Sequence, residues 1–370
     1  MKWTRTISFK PEKIQQEAWT FEDGNETKKY SVEVTLGKPI DILSLKMSKV
    51  EDFKSKVESV RASRTRVYAN PANLEEVKNC PVCQNPSDRL RPILNIYGAI
   101  YTSCEKCFHC YALAKPTDAY LAEFYKTSNA YQSTYADKNT QKQRLEWISK
   151  PKAEYILNEY KKRYGRLPKK VLDIGAGSGH FVYQLRQMGI DCDGVEISES
   201  GIAFAKEVFD VDLLNIDFLK ESDKFECDIV TFWGLIEHVS HPTAMLEAAR
   251  RALGPEGMVV AEVPRFESLS TAVHRAFPDS VIRHLDPMDH NQCFSDSSLA
   301  TAFVLSGLDI ASAWYFGMDA YEFISQLAYK AREDKVIAVA GEKIPVFQEQ
   351  IDLGRLSDFV LFIGIPSNKQ

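Results

Sequence analysis

The chain has 370 residues, 44% of them hydrophobic and 26% charged, a globular balance with room for two or three structural units. Its net charge of −5 argues against a nucleic-acid partner, because phosphate binding shows as a basic excess or a basic face. No run of about 18 apolar residues occurs, so no membrane-spanning helix is expected, and Met1–Lys10 lacks the apolar stretch of a secretory signal.

Residues 1–75 hold one alternating, strand-like run, KYSVEVTL (29–36), and one amphipathic helical run, KVEDFKSKVESVRASR (49–64). They carry no evident chemistry and are read as an appendage that supports the fold or shapes a substrate site. Residues 76–116 hold five of the eight cysteines. Without a secretory signal such clustering favours a metal over disulfides, and the chain is expected to be cytoplasmic and reduced. Cys80 and Cys83 form CPVC, and Cys104 and Cys107 form CEKC, in a C-x2-C…C-x2-C arrangement that is a strong zinc signature. Four thiolates close a tetrahedron and leave no position for water, so the expected zinc is structural. His109 and Cys110 are surplus to that set and are expected to pack.

Residues 117–165 read as helical and rich in tyrosine, with Tyr120, Tyr125, Tyr131 and Tyr135 as candidates for a lid. Residues 166–370 alternate short apolar runs with amphipathic runs of about 10–15 residues, which implies parallel strands joined by crossover helices. The strand-like runs are KVLDIGAG, DCDGVEIS, DLLNID, CDIVTFWG, GMVVAEVP and, last, SDFVLFIGIP. SAWYFGMDAYEFISQLAYK (312–330), before that last run, reads as a core or wall helix. The expected architecture is α/β: a doubly wound, seven-stranded, mostly parallel sheet, with the ribbon and helical lid in front of it.

VLDIGAGSGHF places Gly175, Gly177 and Gly179, with Ala176 between them, at a strand-to-helix turn where backbone amides meet a ligand. Asp173 stands two residues before the first glycine. A carboxylate there repels a pyrophosphate and suits a ligand carrying an ammonium group. Glu196, followed by Ile197, ends the second strand; an acid about 20 residues beyond the loop can take both hydroxyls of a ribose. Asp217 ends the third strand and can accept from the exocyclic amine of an adenine, with Phe218 as a flat wall. All three acids fall on the carboxyl edge of the sheet, where open α/β sheets bind ligands.

On VLDIGAGSGHF, VEIS, NIDF and DIVTFWGLIEHVSHP, residues 170–265 resemble class I S-adenosylmethionine-dependent methyltransferases. The resemblance implies S-adenosylmethionine as methyl donor, with Glu196 on its ribose and Asp217 and Phe218 on its adenine. Trp233 and Gly234, with the glycine loop, would hold its methionine part, and the EHV triplet with Glu237 and His238 is of the small-molecule type. The CPVC…CEKC segment is similar to the zinc-ribbon leader before some bacterial methyltransferase domains of sugar, surface-polysaccharide or natural-product pathways; His109 departs from that pattern. The acceptor implied is a small molecule, a hydroxyl of a sugar, a nucleotide sugar or a natural-product intermediate. Alternatives are carbon methylation of a nucleotide-linked keto sugar, and a ribbon that grips a protein or RNA to be methylated.

Methyl transfer to oxygen or carbon calls for a base, and histidine suits neutral pH. His238, after the fourth strand, and His290, in DPMDHNQCFSDSS, are the candidates. His241, His274 and His284 read as loop or surface residues, and His180 as the exposed start of the first helix. The oligomeric state is not legible.

Overall fold

The computed structural model describes residues 1–7, 12–46, 53–87, 90–117, 119–121, 124, 140–280, 283–333 and 335–367. The described strands, in chain order, are β1 (Lys2–Arg5), β2 (Ile14–Asp23), β3 (Glu26–Leu36), β4 (Leu74–Glu76), β5 (Pro92–Ile96), β6 (Ala99–Ser103), β7 (Cys110–Ala112), β8 (Ala114–Pro116), β9 (Lys170–Ile174), β10 (Asp191–Val195), β11 (Cys227–Trp233), β12 (Leu253–Pro264), β13 (Gln292–Cys293), β14 (Leu308–Phe316) and β15 (Phe359–Pro366). Tyr125, Tyr131 and Tyr135 lie outside the described residues.

The main sheet has the order β1-β2-β3-β14-β15-β12-β11-β9-β10. Strands β10, β9, β11 and β12 run parallel, and β15 inserts antiparallel between β12 and β14. Leu172, Ile174, Val230, Phe232, Val259 and Ala261 are buried against one layer, which includes the helix Pro242–Arg251. Val171, Ile229 and Val260 face the other layer, built by the helices Lys150–Tyr164 and His180–Gln187. Burial on both faces is why these strands read as continuous apolar runs rather than alternating ones. The alternation of strands and crossover helices brings the ends of β9, β10, β11 and β12 to one edge.

Three features depart from the expected architecture. The run DLLNID is not a strand; it is held by the single parallel bridge Val195–Leu214. Ser312–Phe316 belongs to β14, and the helix begins only at Asp319. The sheet also gains three strands at its other edge, because the amino-terminal run joins it through β3, parallel to β14. Strand β2 alternates buried and exposed residues, and its Trp19 packs edge-on against Phe362 at 5.2 Å. One covered face gives period-two patterning.

The cysteine-bearing segment is stitched to the same domain. Strand β13 pairs with β7 to complete a four-stranded sheet in the order β13-β7-β6-β5. The hydroxyl of Tyr101 in β6 donates to the carbonyl oxygens of Leu285 (3.2 Å) and His290 (2.9 Å). Arg64, from the helix Phe53–Tyr68, donates to Asp286 at 2.9 Å, and the Tyr68 hydroxyl donates to the Pro287 carbonyl at 2.9 Å. The loop 283–291 is thereby clamped from the ribbon and from the amino-terminal helix.

Candidate active site and metal centre

The turn after β9 has the geometry its glycines allow. Gly175, Gly177 and Gly179 all have positive φ. A side chain on Gly179 would meet the Ala205 Cβ at 2.8 Å, so the close approach of two helices forbids one. A side chain on Gly177 would meet nothing within 4 Å, so φ alone selects glycine there and its face is open. The Gly177 N–H donates to Glu196 Oε2 at 2.7 Å, and the N–H groups of Ile197 and Ser198 donate to Glu196 Oε1 at 2.8 and 2.7 Å. Glu196 thus ties the loop after β10 to the glycine turn. Ile197 beside it is 76% exposed, an open apolar surface.

Asp173 sits behind the turn rather than at its mouth. It is buried and accepts from the Thr231 hydroxyl at 2.7 Å. Burial pushes its carboxyl up to about 7, against the opposing pull of the Thr231 bond and of Lys152. Asp217 is half-exposed and holds Lys220 at 2.8 Å, whose bond draws the Asp217 carboxyl down. Phe218 does not face the edge. It is 4% exposed and packs against Phe225 and Phe232, because the first turn of Phe218–Glu221 rotates its ring into the core. The open apolar groups here are Ile197 and Leu219.

At the end of β11, Trp233 packs edge-on against Phe181 at 4.8 Å, and Gly234, at positive φ, donates its N–H to the Glu262 carbonyl at 3.0 Å. Lys152 reaches over the Trp233 ring at 4.6 Å and donates to Glu262 Oε1 at 2.9 Å. Trp233 Nε1, Glu262 Oε2 and Glu237 Oε2 are buried without a hydrogen-bond partner among the described residues. Buried polar atoms are nearly always satisfied, so three orphans at one strand edge fit a polar ligand that belongs there. Together with the open Gly177 face and Glu196, this donor set fits a nucleoside carrying an amino acid.

Glu237 is 1% exposed, and burial pushes its carboxyl up to about 8. Its Oε1 lies 3.7 Å from His238 Nε2. The structure brings His238 and His290 together, with ring centroids 4.7 Å apart. His238 Nδ1 meets the carbonyl oxygen of Asp289 at 2.6 Å, and His290 Nδ1 meets that of Arg283 at 3.1 Å. A carbonyl only accepts, so each Nδ1 carries the proton and each Nε2 is a bare acceptor. Desolvation holds both rings neutral at physiological pH, His238 at about 4 although 30% of its side chain stays exposed, and His290 lower than an ordinary imidazole.

The four cysteines of the two CxxC turns form a single knot. Cys80 Sγ lies 3.6 Å from Cys107 Sγ, and Cys83 Sγ lies 3.5 Å from Cys104 Sγ. Sulfurs at about 2.3 Å from one zinc stand about 3.8 Å apart in a tetrahedron. Each turn has the same local fold: a backbone bond returns to its first cysteine, and the residue after the second, Gln84 or Phe108, takes positive φ. The donor set and its spacing fit zinc. His109 and Cys110 pack, as expected. His109 is buried, bonded to Gln292 at 2.9 Å and Ser298 at 3.2 Å, and so anchors the ribbon on the domain.

Other histidines sit differently from the expectation. His274 and His284 are buried, not superficial, and His284 Nε2 pairs with Asp358 at 2.8 Å. His180 opens its helix as expected, yet it is half-buried against Phe204 and Phe209 and bonded to Gln141. Lys152, Glu262 and Lys38 were missed. Glu262 ends β12 on the same edge as the other strand-end acids, and that placement was a usable signal. Lys38, over the Phe316 ring at 4.4 Å, and Lys152 come from outside the strand ends and gave no signal in the chain order.

Residues 146–313 match the family model described as "Methyltransferase domain". The match covers the segment that holds the glycine turn and strands β9 to β12. Among curated relatives, the domain is similar to the ubiquinone biosynthesis O-methyltransferase of Psychrobacter arcticus, 25% identical over 160 residues, covering 40% of this chain and 62% of that one. The corresponding protein of Idiomarina loihiensis is 29% identical over 102 residues, covering 26% of this chain and 42% of that one. The chain thus spans about half the length of the curated relatives it matches. Among solved structures, the plantazolicin methyltransferase BpumL in complex with SAH is 17% identical, with TM-score 0.43 and coverage of 66% of this chain and 94% of that one. No helix among the described residues is long and apolar enough to cross a membrane.

Proposed function

We propose that the protein transfers a methyl group from S-adenosylmethionine to a hydroxyl of a small-molecule acceptor, a sugar, nucleotide sugar or natural-product intermediate. The observation that carries this reading is the pair of neutral imidazoles at the end of β11, each with Nδ1–H held by a backbone carbonyl and Nε2 bare. The O-methyltransferase names of the curated relatives support a hydroxyl acceptor.

When bound, S-adenosylmethionine supplies a methyl group already activated on a sulfonium. The chain's own residues then bind, orient and move a proton. Glu196, beside Gly177, would hold the ribose, and Ile197 and Asp217 would hold the base. Gly175, Ala176, Gly179, Trp233 and Gly234 would hold the amino-acid part, and Asp173 would favour its ammonium from behind the turn. Glu237 Oε1 lies 3.7 Å from His238 Nε2. His238 or His290 accepts the hydroxyl proton at Nε2 as the oxygen takes the methyl. Alignment of the acceptor supplies much of the acceleration, because the donor is already activated. The four thiolates hold a structural zinc, and the ribbon it stabilises clamps the loop that carries His290.

The test replaces His238 and His290 each by Ala and measures methyl transfer to hydroxyl acceptors alongside binding of S-adenosylhomocysteine. Losses of about 100-fold or more in rate, with donor-site binding kept, are expected. Near-normal rates in both variants overturn the assignment.

A further inference from the structure

Three ligand atoms converge at the end of β11 and, among the described residues, make no hydrogen bond to one another. Glu237 is buried, and its Oε2 has no hydrogen-bond partner. His238 and His290 spend their Nδ1 protons on the carbonyl oxygens of Asp289 and Arg283, which leaves two bare Nε2 lone pairs. One ligand atom from each of Glu237, His238 and His290 lies within 4.8 Å of the others. The His238 Nε2 to Glu237 Oε1 distance is 3.7 Å. Ligands at about 2.1 Å from one ion stand about 3 to 4.2 Å apart, so a small contraction closes the site. Converging lone pairs repel unless a cation or a proton lies among them.

The surroundings have the form of a metal site's outer shell. Metal-bound histidines almost always donate their second ring N–H to a carbonyl or carboxylate, which fixes the tautomer and the ring. Both histidines do so here. The loop that presents His290 is held by Tyr101 of the ribbon and by Arg64 and Tyr68 of the amino-terminal helix, so the ligand is positioned by rigid elements. We infer that Glu237, His238 and His290 form a second metal site, distinct from the thiolate knot, for a divalent cation of the zinc, cobalt or manganese class. Two nitrogens and one carboxylate suit such ions, and three protein ligands leave positions open.

This rests on the proposed function and deepens it. The ion would take the acceptor oxygen at an open position and ease loss of its proton to bulk water; the electron pair left on oxygen would form the bond to the methyl carbon as the carbon–sulfur bond breaks with its pair left on sulfur. With the ion bound, methyl transfer to a hydroxyl stands as proposed but the two Nε2 atoms would hold the ion in place of accepting the proton, and acceptors with two adjacent hydroxyls, able to chelate, would be favoured.

The test starts from full-length protein whose thiolate site already holds zinc. Cobalt(II) is titrated in and followed by elemental analysis and by absorption, where a nitrogen–oxygen site lacks the intense sulfur-to-cobalt bands of a thiolate site. One further equivalent is expected in the wild type. H238Q and H290Q are each expected to weaken it by about 100-fold or more, with zinc content and S-adenosylhomocysteine binding unchanged, and E237Q to weaken it as much with zinc content unchanged. A wild type that takes up no cobalt beyond the zinc-filled knot overturns the inference, as do variants that keep the extra cobalt. The wild-type titration decides the matter even where a variant fails to fold. Cobalt uptake without methyl transfer to any hydroxyl acceptor would sink the proposed function and leave the site standing. Full transfer by metal-free protein would remove the ion from the reaction and leave the proposed function intact.

Discussion

The thiolate knot and the carboxyl edge of the sheet use buried polar atoms in opposite ways. In the knot, four sulfurs from two identical turns face one another at 3.5 to 3.6 Å, and the set is complete within itself. At the edge, Trp233 Nε1, Glu237 Oε2 and Glu262 Oε2 are buried without partners among the described residues, and Asp173 and Glu237 are pushed up by burial. A closed set of ligands stabilises a fold. An open set is costly to the empty chain and is recovered only on binding. The two regions are nevertheless joined, because β13 and Tyr101 carry the ribbon's rigidity to the loop of His290.

The largest expected effect comes from breaking the knot. C83S or C107S should abolish zinc binding and cost on the order of 5 kcal/mol or more of ribbon stability, read by zinc content and thermal unfolding. Methyl transfer should collapse with the loop of His290, while S-adenosylhomocysteine affinity changes by less than about threefold, since the glycine turn lies elsewhere. Equal loss on both sides would dissolve the contrast between the regions.

On the edge, E196A removes the acceptor of three backbone N–H groups and the proposed ribose partner. About 2–4 kcal/mol of donor binding should vanish, roughly 30- to 1000-fold in affinity by calorimetry, with zinc content unchanged. An affinity within about threefold of the wild type would remove Glu196 from the donor set.

The join between the regions is sharpened by H109F. It deletes the bonds to Gln292 and Ser298 but keeps a ring against Phe294. A loss of about 1–3 kcal/mol in thermal or denaturant unfolding is expected, with donor affinity untouched. No change in stability would mean that His109 merely fills space.

The smallest effect is a pH dependence set by Asp173. Burial pushes its carboxyl up to about 7. A ligand ammonium favours the carboxylate, so binding lowers that pKa and releases a proton at pH below 7. Affinity for S-adenosylhomocysteine should therefore rise by up to about tenfold per pH unit below 7 and level off above it. It should fall again above about pH 8 as the ligand's own amino group loses its charge. Calorimetry in buffers of different ionisation enthalpy measures the released proton. In D173N the rise below pH 7 should disappear; its persistence would assign the proton to another group.

Much of this molecule is determined within short windows of sequence. The CxxC turns are fixed locally, since each needs only a tight turn and a residue that tolerates positive φ. The glycine turn after β9 and the alternation of apolar strands with amphipathic helices are equally local. Direction and company are not local. Phe218 is one residue from a strand-end acid, yet the first turn of its helix sends the ring into the core. DLLNID has strand-like composition, yet only Leu214 pairs at that edge, so it forms a bridge. Lys152 and Glu262 meet at 2.9 Å from a helix and a strand far apart in the chain. His238 and His290 become neighbours only because Arg64, Tyr68 and Tyr101 pin the loop between them. Residue type and spacing settle which chemistry each short segment can offer. Only packing of distant segments into one dry edge decides which lone pairs converge, because that depends on burial and hydrogen-bond competition across the whole fold.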